Sequence, residues 1–508
     1  NGTKAINICE NNAYDVIFCD VDLGQGPNGL QVLEELRHLN RLKNGAIFIM
    51  VTAESSRDAV IGSLEYKPDA YMNKPISSGE LESRLIKCLK LRDALSPIYQ
   101  ALDDGDYAKA IKLCDQHINK GSRHKNWSSK TKGELLIKLC RWKEAQTLYK
   151  EVLNERPLFW AQLGYANVLA AQQLDEEALQ NYQQAYQDNP ASLEAFEGAA
   201  RMLIKLGDPI TAQNLLEQTT RISTRSVTRQ KLLSEVCKMN GDFEGAAKAS
   251  RLVVKNAEHG IHKGAENELD LADNLTEAAL QSNDESKSKK FATKALSTLQ
   301  KTQKNYDDPD IRIQTTLVES RAYSSIDDDK SAQAALNNAV EKMEQTLNKP
   351  NLRTQLELAK SYDQTGHKDQ AKSLLKELAE QYKDDPEISA KLDKLVDEPI
   401  TTSGKKEVVE INKTGINMFE KGQYKEAAQY FNKATQSFPK HLGIRLNIIQ
   451  AMLFDMKTSG PTLENISKCN IHLSAIQNIK EENKQFKRYL SFKQTLETLL
   501  QHLKKKGT

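Results

Sequence analysis

The sequence predicts an α/β domain followed by a long all-α array of paired helices. Three observations lead to this prediction. Apolar runs alternate with amphipathic segments near the start of the chain, and the strand-like segments stop at about residue 95. Beyond that point, alanines recur at nearly constant intervals within helix-like segments. The 508 residues are enough for several domains.

The first part of the chain follows the alternation that is typical of a doubly wound parallel sheet. Strands are predicted at 15–20, 46–51 and 69–73. Helices are predicted at 4–12, 29–40, 55–65 and 78–92.

Polar side chains stand at the ends of the three predicted strands. Asp20 ends the run Val16–Cys19, Thr52 follows the second strand, and Lys74 follows the third. Parallel sheets present their chemistry at the carboxyl ends of their strands. An acid, a hydroxyl and an ammonium group at one edge therefore predict a site that handles a phosphoryl group.

The second part of the chain repeats with a period of about 34 residues. Its marker alanines, spaced 35, 33, 34 and 34 residues apart, are Ala110, Ala145, Ala178, Ala212 and Ala246. A small residue at this spacing is expected where two helices of a repeat cross closely.

The repeat pattern loosens between residues 260 and 350, where Ala292 and Ala332 indicate diverged repeats with longer helices. It recovers at Ala371 and again around Gly415 and Ala427. The predicted boundaries are 1–92 for the α/β domain, 95–396 for the array, 397–406 for a linker and 407–508 for a last repeat with capping helices.

Composition argues against several classes of partner. The 71 basic and 69 acidic residues give a net charge of +2, which supplies no electrostatic reason to bind nucleic acid or a membrane surface. Seven scattered cysteines without a C-x-x-C pair fit reduced thiols in the cytoplasm. No apolar run approaches the roughly 20 residues of a membrane span.

Residues 1–92 resemble the receiver domain of bacterial response regulators, which has a flavodoxin-like fold. The motifs that carry the resemblance are Tyr14-Asp15-Val16-Ile17-Phe18-Cys19-Asp20, Asn28-Gly29-Leu30, Val51-Thr52-Ala53 and Tyr71-x-x-Lys74-Pro75. The resemblance implies that a histidine kinase or phosphotransfer protein phosphorylates the matching aspartate with the help of Mg²⁺. It also implies that a first strand–helix–strand unit precedes residue 1.

The resemblance assigns roles to individual residues. Asp20 would be the phosphoacceptor, and the positively charged ammonium group of Lys74 would lie against the phosphoryl oxygens. Thr52 and Tyr71 would form the switch that responds to phosphorylation.

The resemblance also implies a metal site and two turn positions. Mg²⁺ would bind the carboxylate of Asp20 and the backbone carbonyl of Asp22, with the remaining acidic ligands upstream of residue 1. We therefore expect Mg²⁺ in a full-length receiver, whereas this fragment without those acids is not expected to hold it. Gly29 would shape the turn after the phosphoacceptor loop, and Pro75 would follow a cis peptide bond.

Residues 95–460 resemble tetratricopeptide arrays. Trp160, Leu163, Gly164, Ala178, Tyr182 and Pro190 match the signature within one repeat. The resemblance implies that a groove lined by the first helix of each repeat binds peptides or proteins. The groove candidates are Lys130, Glu134, Lys138, Glu197, Arg201, Lys205, Lys231, Glu235 and Lys238.

Together these features predict a bacterial, cytoplasmic response regulator whose phosphorylation controls protein binding by the array. The only chemistry expected of it is self-phosphotransfer at Asp20. The alternative is a constitutive adaptor in which a degenerate receiver serves only for docking or dimerisation. Two adjacent acids after the first strand of the receiver would favour the switch, and their absence would favour the adaptor.

Overall fold

A computed structural model of the chain describes residues 1–53, 65–345, 350–476, 479 and 481–506. These residues form two compact units, each with its own internal contacts. The first unit comprises Asn1–Met202, Asn214–Gln230 and Leu252–Lys263, and the second comprises Leu203–Gln213, Lys231–Arg251 and the chain from Gly264 onward. In the described part of the chain, no helix combines the length and the apolar character that crossing a bilayer requires.

The α/β domain contains a three-stranded parallel sheet in the order β1-β2-β3. The strands are β1 (Val16–Asp20), β2 (Ile47–Thr52) and β3 (Ala70–Asn73). Every residue of the central strand β2 is buried, as the apolar run at 46–51 predicts. The flanking helices are α1 (Gly2–Asn11), α2 (Gly29–His38) and α3 (Ser78–Asp103).

The edge strand β1 is less buried than its apolar sequence predicts. Phe18 is 46% exposed, whereas the neighbouring Cys19 points into the core formed with α1 and α2. In the described sheet β1 pairs only with β2, so it is an edge strand.

Helix α2 begins where the sequence supplies a capping box. The side chain of Asn28 accepts a hydrogen bond from the backbone N–H of Gln31 at 3.0 Å. The side-chain Oε1 of Gln31 accepts one from the backbone N–H of Asn28 at 2.9 Å. This reciprocal pair satisfies two backbone donors at the helix start. It also fixes α2 directly after the loop that follows Asp20.

In the rest of the chain, every element of regular secondary structure among the described residues is a helix. Its helices in the first half are α4 (Tyr107–Asn119), α5 (Lys125–Lys138), α6 (Trp142–Glu155), α7 (Phe159–Ala171), α8 (Asp175–Asp188), α9 (Leu193–Lys205), α10 (Pro209–Ile222), α11 (Val227–Met239) and α12 (Phe243–Asn256). The following helices are α13 (Ala265–Gln281), α14 (Glu285–Asn305), α15 (Pro309–Ser324), α16 (Asp329–Gln345), α17 (Leu352–Gln364), α18 (Lys368–Gln381) and α19 (Pro386–Asp393). The last helices are α20 (Thr402–Glu420), α21 (Tyr424–Ala434), α22 (Leu442–Ser459), α23 (Leu463–Ser474) and α24 (Phe486–Lys506).

The marker alanines lie on the second helices of the helix pairs and are buried. Solvent reaches almost none of Ala110, Ala145, Ala178, Ala212, Ala246, Ala292, Ala332, Ala371 and Ala427. The repeats around Ala292 and Ala332 have the longer helices that the loosened pattern predicts, with 21 residues in α14 and 17 in α16.

Glycines on first helices allow equally close approach. A Cβ atom added to Gly164 would lie 2.3 Å from Cζ of the buried Tyr149, and one added to Gly133 would lie 2.4 Å from its Oη. Tyr149 therefore fills space that any larger residue at either glycine would occupy. The glycine in the predicted repeat signature thus has a packing role.

Two predicted boundaries differ from the observed elements. Helix α3 continues through residues 92–95 to Asp103, so no break separates the receiver region from the first repeat. Its buried residues Leu95, Ile98 and Ala101 pack into the core of that repeat. Helix α20 begins at Thr402, inside the predicted linker 397–406, because the Thr401 side chain accepts a hydrogen bond from the Gly404 N–H at 3.0 Å. Residues 55–64 of the predicted helix 55–65 lie outside the described residues.

Candidate functional site

Asp20 and Lys74 meet at the carboxyl edge of the sheet. The ammonium group of Lys74 donates a hydrogen bond to Oδ2 of Asp20, forming an ion pair. The Lys74 and Asp20 side chains remain 45% and 29% exposed respectively, so both are accessible from solvent. The Lys74–Pro75 peptide bond is cis. The sheet therefore brings together the acid and the ammonium group that the sequence predicts there.

Thr52 ends the central strand beside Asp20. The strand register pairs Asp20 with Val51, and the next residue, Thr52, pairs with Asn73. The Thr52 side chain is buried. The backbone carbonyl oxygen of Thr52 accepts a hydrogen bond from the Lys74 N–H at 2.7 Å. Thr52 is thus fixed between the strands that carry Asp20 and Lys74. Tyr71 lies on β3, half-buried against the core under α2.

Backbone groups shape the loop after the candidate phosphoacceptor. Oδ1 of Asp20 accepts a hydrogen bond from the Asp22 N–H at 3.2 Å, and Oδ1 of Asp22 accepts one from the Gly24 N–H at 3.0 Å. A Cβ atom added to Gly29 would lie 2.1 Å from the carbonyl oxygen of Asp20. Only glycine therefore allows the start of α2 to lie directly against the Asp20 backbone, which fits the predicted turn role of Gly29.

The thiol of Cys19, next to Asp20, is part of the core. Cys19 is buried, and this burial, with a smaller contribution from the charge of Asp20, raises the pKa of its thiol to about 11. The neutral thiol is a poor nucleophile and a poor metal ligand. Of these two neighbouring side chains, only the Asp20 carboxylate lies at the accessible edge of the sheet.

The described donors near Asp20 are too few for a Mg²⁺ site. Mg²⁺ prefers six oxygen ligands, usually including one or two carboxylates with water and phosphate oxygens. One Asp20 oxygen binds Lys74, and the Asp22 carboxylate caps the following turn. Among the described residues, no group of three potential metal-ligating side chains surrounds Asp20. These donors therefore do not complete a Mg²⁺ site.

The groove candidates lie on first helices of the array, and nearly all of them are exposed. Exposed candidates on α5, α9 and α11 are Lys130, Glu134, Lys138, Arg201, Lys205, Lys231, Glu235 and Lys238. Lys138 donates a hydrogen bond to the Tyr107 hydroxyl at 2.6 Å. Glu197 is the exception, since it is half-buried in contact with an arginine that the sequence reasoning missed.

That arginine, Arg229, joins the array to the α/β domain. Its side chain is 1% exposed and forms ion pairs with Glu197 of α9, at 2.8 Å, and with Glu65 of the α/β domain. The second carboxylate oxygen of Glu65 accepts a hydrogen bond from the Ser223 hydroxyl at 2.9 Å. The carbonyl of Ser223 in turn accepts a hydrogen bond from Nη1 of Arg229 at 3.1 Å. Arg229 and Ser223 thus bind both oxygens of one carboxylate.

Helix α2 supplies a second set of contacts. Nε2 of Gln31 donates hydrogen bonds to the carbonyl oxygens of Asn256, at 2.9 Å, and His259, at 3.2 Å. Oε1 of Glu34 lies 3.1 Å from Nε2 of His262. We refer to these contacts of α2 and Glu65 with Ser223, Arg229, Asn256, His259 and His262 as the receiver–array contact.

One residue ties the two halves of the receiver–array contact together. Arg37, two turns along α2 from Gln31, donates hydrogen bonds to the carbonyl oxygens of Tyr66 and Lys67. The segment that carries Glu65 is therefore held against α2, whose first residue lies against Asp20. A displacement at the start of α2 would move both halves.

Family comparisons agree with this division of the chain. A model of the response regulator receiver domain matches residues 1–86. A model of the Psidin N-terminal tetratricopeptide region matches residues 93–220, and two tetratricopeptide repeat models match residues 320–395 and 413–441. The chain carries a receiver domain followed by tetratricopeptide repeats. Comparison with curated proteins gives no match.

Solved structures similar to this receiver–repeat protein are tetratricopeptide proteins of low sequence identity. One from Parabacteroides merdae is 13% identical, with a TM-score of 0.32, and the match covers 54% of this chain and 98% of that one. The C-terminal part of a repeat protein from Cytophaga hutchinsonii is 15% identical, with a TM-score of 0.38, covering 53% and 97%. YrrB, described as having an unusual peptide-binding site, is 16% identical with a TM-score of 0.32, covering 39% and 92%.

Proposed function

We propose that the protein is a response regulator in which phosphorylation of Asp20 controls protein binding by the repeat array. The observation that carries the proposal is the Asp20–Lys74 ion pair at the carboxyl edge of a receiver sheet whose helix α2 also contacts the array. A histidine kinase or a phosphotransfer protein would be the phosphoryl donor.

The proposed reaction transfers a phosphoryl group from a phosphohistidine to Asp20. A carboxylate oxygen of Asp20 forms the new P–O bond as the P–N bond of the donor breaks, and the imidazole nitrogen keeps the bonding electron pair. Lys74, already within hydrogen-bonding distance of Asp20, offsets the added negative charge. The Thr52 hydroxyl then donates a hydrogen bond to a phosphoryl oxygen. This self-phosphotransfer is the chemistry that we assign to the chain.

The proposed output follows from where α2 lies. Its first residue, Gly29, is against the Asp20 backbone, and Gln31 in the same turn contacts the array. Charge added at Asp20 acts directly on the loop that precedes α2. A local change in charge of this kind shifts the equilibrium between a closed and an open receiver–array contact.

The phosphorylation step is tested with acetyl phosphate on the wild-type protein and on Asp20→Asn. We expect the wild type to gain one phosphoryl group that hydroxylamine removes, as it does for an acyl phosphate. Asp20→Asn is isosteric and is expected to gain none. Equal labelling of the two proteins would exclude Asp20 as the acceptor.

A second candidate function is a constitutive adaptor with a degenerate receiver. The observation that favours it is the small number of metal donors around Asp20 among the described residues. The two functions differ in partner recovery with and without acetyl phosphate. A controlled array recovers different partners in the two states, whereas an adaptor recovers the same partners in both.

A further inference from the structure

We infer that Arg229 and Ser223 form a carboxylate-binding site of the array, that Glu65 of the receiver occupies it, and that protein partners reach it with an acidic side chain. This inference rests on the proposed function, because it names the surface that phosphorylation would control and the chemistry of the partner.

The site has the geometry of a built anion site. Both oxygens of the Glu65 carboxylate are bound, one by Nη2 of Arg229 and the other by the Ser223 hydroxyl at 2.9 Å. The positive charge of the guanidinium group favours a carboxylate over a neutral amide, and the Ser223 hydroxyl donates to the second carboxylate oxygen. The site therefore selects its occupant by negative charge as well as by position.

The array itself holds the arginine in place. Nε of Arg229 donates a hydrogen bond to Glu197 of α9 at 2.8 Å, and Nη1 donates one to the Ser223 carbonyl at 3.1 Å. Burial lowers the pKa of Arg229 to about 10. Because this value is still well above neutral pH, the guanidinium group stays charged there. Because two of its three nitrogens are bound by array residues, the third remains directed at the incoming carboxylate when Glu65 leaves. Such preorganisation reduces the entropy lost on binding a partner.

The occupant Glu65 is supplied by a separate part of the chain. It lies 164 residues before Arg229, and its segment is fastened to the receiver by Arg37, which binds the carbonyl groups of the next two residues. Glu65 lies outside the helix pairs, so it can leave Arg229 without unfolding a repeat while α3 keeps the receiver joined to the array. An internal carboxylate of this kind competes with an external one, so the free site is available only when the receiver moves away.

The test opens the contact through receiver substitutions that leave the array site intact. Glu65→Gln removes the charge from the occupant, and Gln31→Glu keeps the capping box while removing the Nε2 donor. The probe is a fluorescein-labelled peptide with the sequence of residues 65–70, Glu-Tyr-Lys-Pro-Asp-Ala. A second peptide with glutamine in the first position is the matched control.

We expect the glutamate peptide to bind the Glu65→Gln/Gln31→Glu protein at least about tenfold more tightly than it binds the wild type, a difference of about 1.4 kcal/mol. The glutamine peptide should lose this preference. Adding Arg229→Lys, which keeps the charge but not the fork of donors, should weaken glutamate-peptide binding again. Adding Ser223→Ala instead should also weaken binding of the glutamate peptide, but by a smaller factor.

Several results would overturn the inference. They are equal binding of the glutamate peptide to the wild type and the opened variant, no binding to either, and no discrimination between the two peptides. Unchanged amide exchange of residues 223–229 in the opened variant would also do so, because Glu65 would then not hold the contact. None of these measurements requires phosphorylation, so a failure here is distinct from a failure of Asp20 to accept a phosphoryl group.

Discussion

Two buried arginines of the array, Arg321 and Arg229, differ in the origin of their acidic partners. Arg321 lies on α15 and is fully buried. It contacts Asp273 of α13 at 2.6 Å and Glu357 of α17 at 2.5 Å, so neighbouring repeats supply the negative charge. Burial alone would raise the pKa of Asp273, but Lys360 and Arg321 hold it below its usual range. The network around Arg321 is internal to the repeats.

Arg229 has one acid from the repeats and one from the receiver. Glu197 belongs to α9, whereas Glu65 belongs to the α/β domain. The comparison teaches that burial and ion pairing alone do not identify a fixed structural charge. A charge whose partner is on another domain can exchange that partner, and a charge enclosed by its own repeats cannot.

The largest effect is expected from removing Arg321. Arg321→Met leaves three acids, including Glu277, without their shared cation, and breaking a buried pair in this way costs about 3–5 kcal/mol. Arg229→Met should cost less, roughly 1–2 kcal/mol, since Glu65 returns to water when the receiver separates. Urea denaturation of the two variants and the wild type measures both values. Equal losses would contradict the distinction between the two arginines.

A third buried arginine among the described residues, Arg445, sharpens the comparison because its side-chain partner is a histidine. Nη1 of Arg445 lies 3.2 Å from Nδ1 of His472, which must accept the hydrogen bond as a neutral ring. Burial, together with the Arg445 charge, lowers the pKa of His472 from 6.5 to about 3. At pH values between about 3 and 6.5, the unfolded chain binds a proton at His472 that the folded chain does not bind.

The sign of the pH effect follows from that difference. The free energy of unfolding should fall as the pH drops below about 6.5, by up to about 1.4 kcal/mol per pH unit from this group. His472→Gln cannot take up the proton and should show a shallower decline in urea denaturation at pH 7, 6 and 5. A slope identical to that of the wild type would show that His472 is not the group responsible.

A smaller effect is expected for Gln31→Glu alone. The substitution keeps the capping box of α2 but removes the hydrogen bonds to the carbonyl groups of Asn256 and His259. Loss of these contacts should weaken the receiver–array contact by about 1 kcal/mol while the stability of α2 is preserved. Faster amide exchange of residues 256–262, with unchanged exchange in α2, is the expected result. Faster exchange in both segments would instead indicate damage to the helix.

The smallest effect is expected for Lys67→Ala. Lys67 lies 3.7 Å from Glu194, and both side chains are more than half exposed. Solvent-exposed pairs of this kind contribute only about 0–1 kcal/mol. Amide exchange across residues 223–229 should therefore match that of the wild type. A change as large as that from Glu65→Gln would mean that general charge attraction, and not the two-point binding of Glu65, holds the domains together.

The sequence predicts the repeat framework well because its packing is local. Ala178 and Gly164 occupy positions where neighbouring helices leave no space for a larger side chain, and the helical period makes these positions recur. The three strands and the edge position of Asp20, Thr52 and Lys74 follow from apolar runs that end in polar residues. These features depend on spacing within short stretches.

The receiver–array contact could not be predicted because it depends on residues far apart in the sequence. Arg229 and Glu65 carry no motif, and Gln31 has the ordinary spacing of a capping residue. Glu197 was predicted to line an open groove, yet it orients Arg229. The signal that was available is the placement of Arg229 on a first helix, 32 residues after Glu197 and so close to one repeat period. Composition alone does not say which acid such a residue meets.

The most direct test of the account measures amide hydrogen exchange of residues 223–229 before and after acetyl phosphate treatment. The wild-type protein should exchange faster in this segment once it carries a phosphoryl group, because Glu65 leaves Arg229 and Ser223. Asp20→Asn should show the same exchange with and without the treatment. Unchanged exchange in a wild-type sample that carries the phosphoryl group would contradict the claim that Asp20 controls the receiver–array contact.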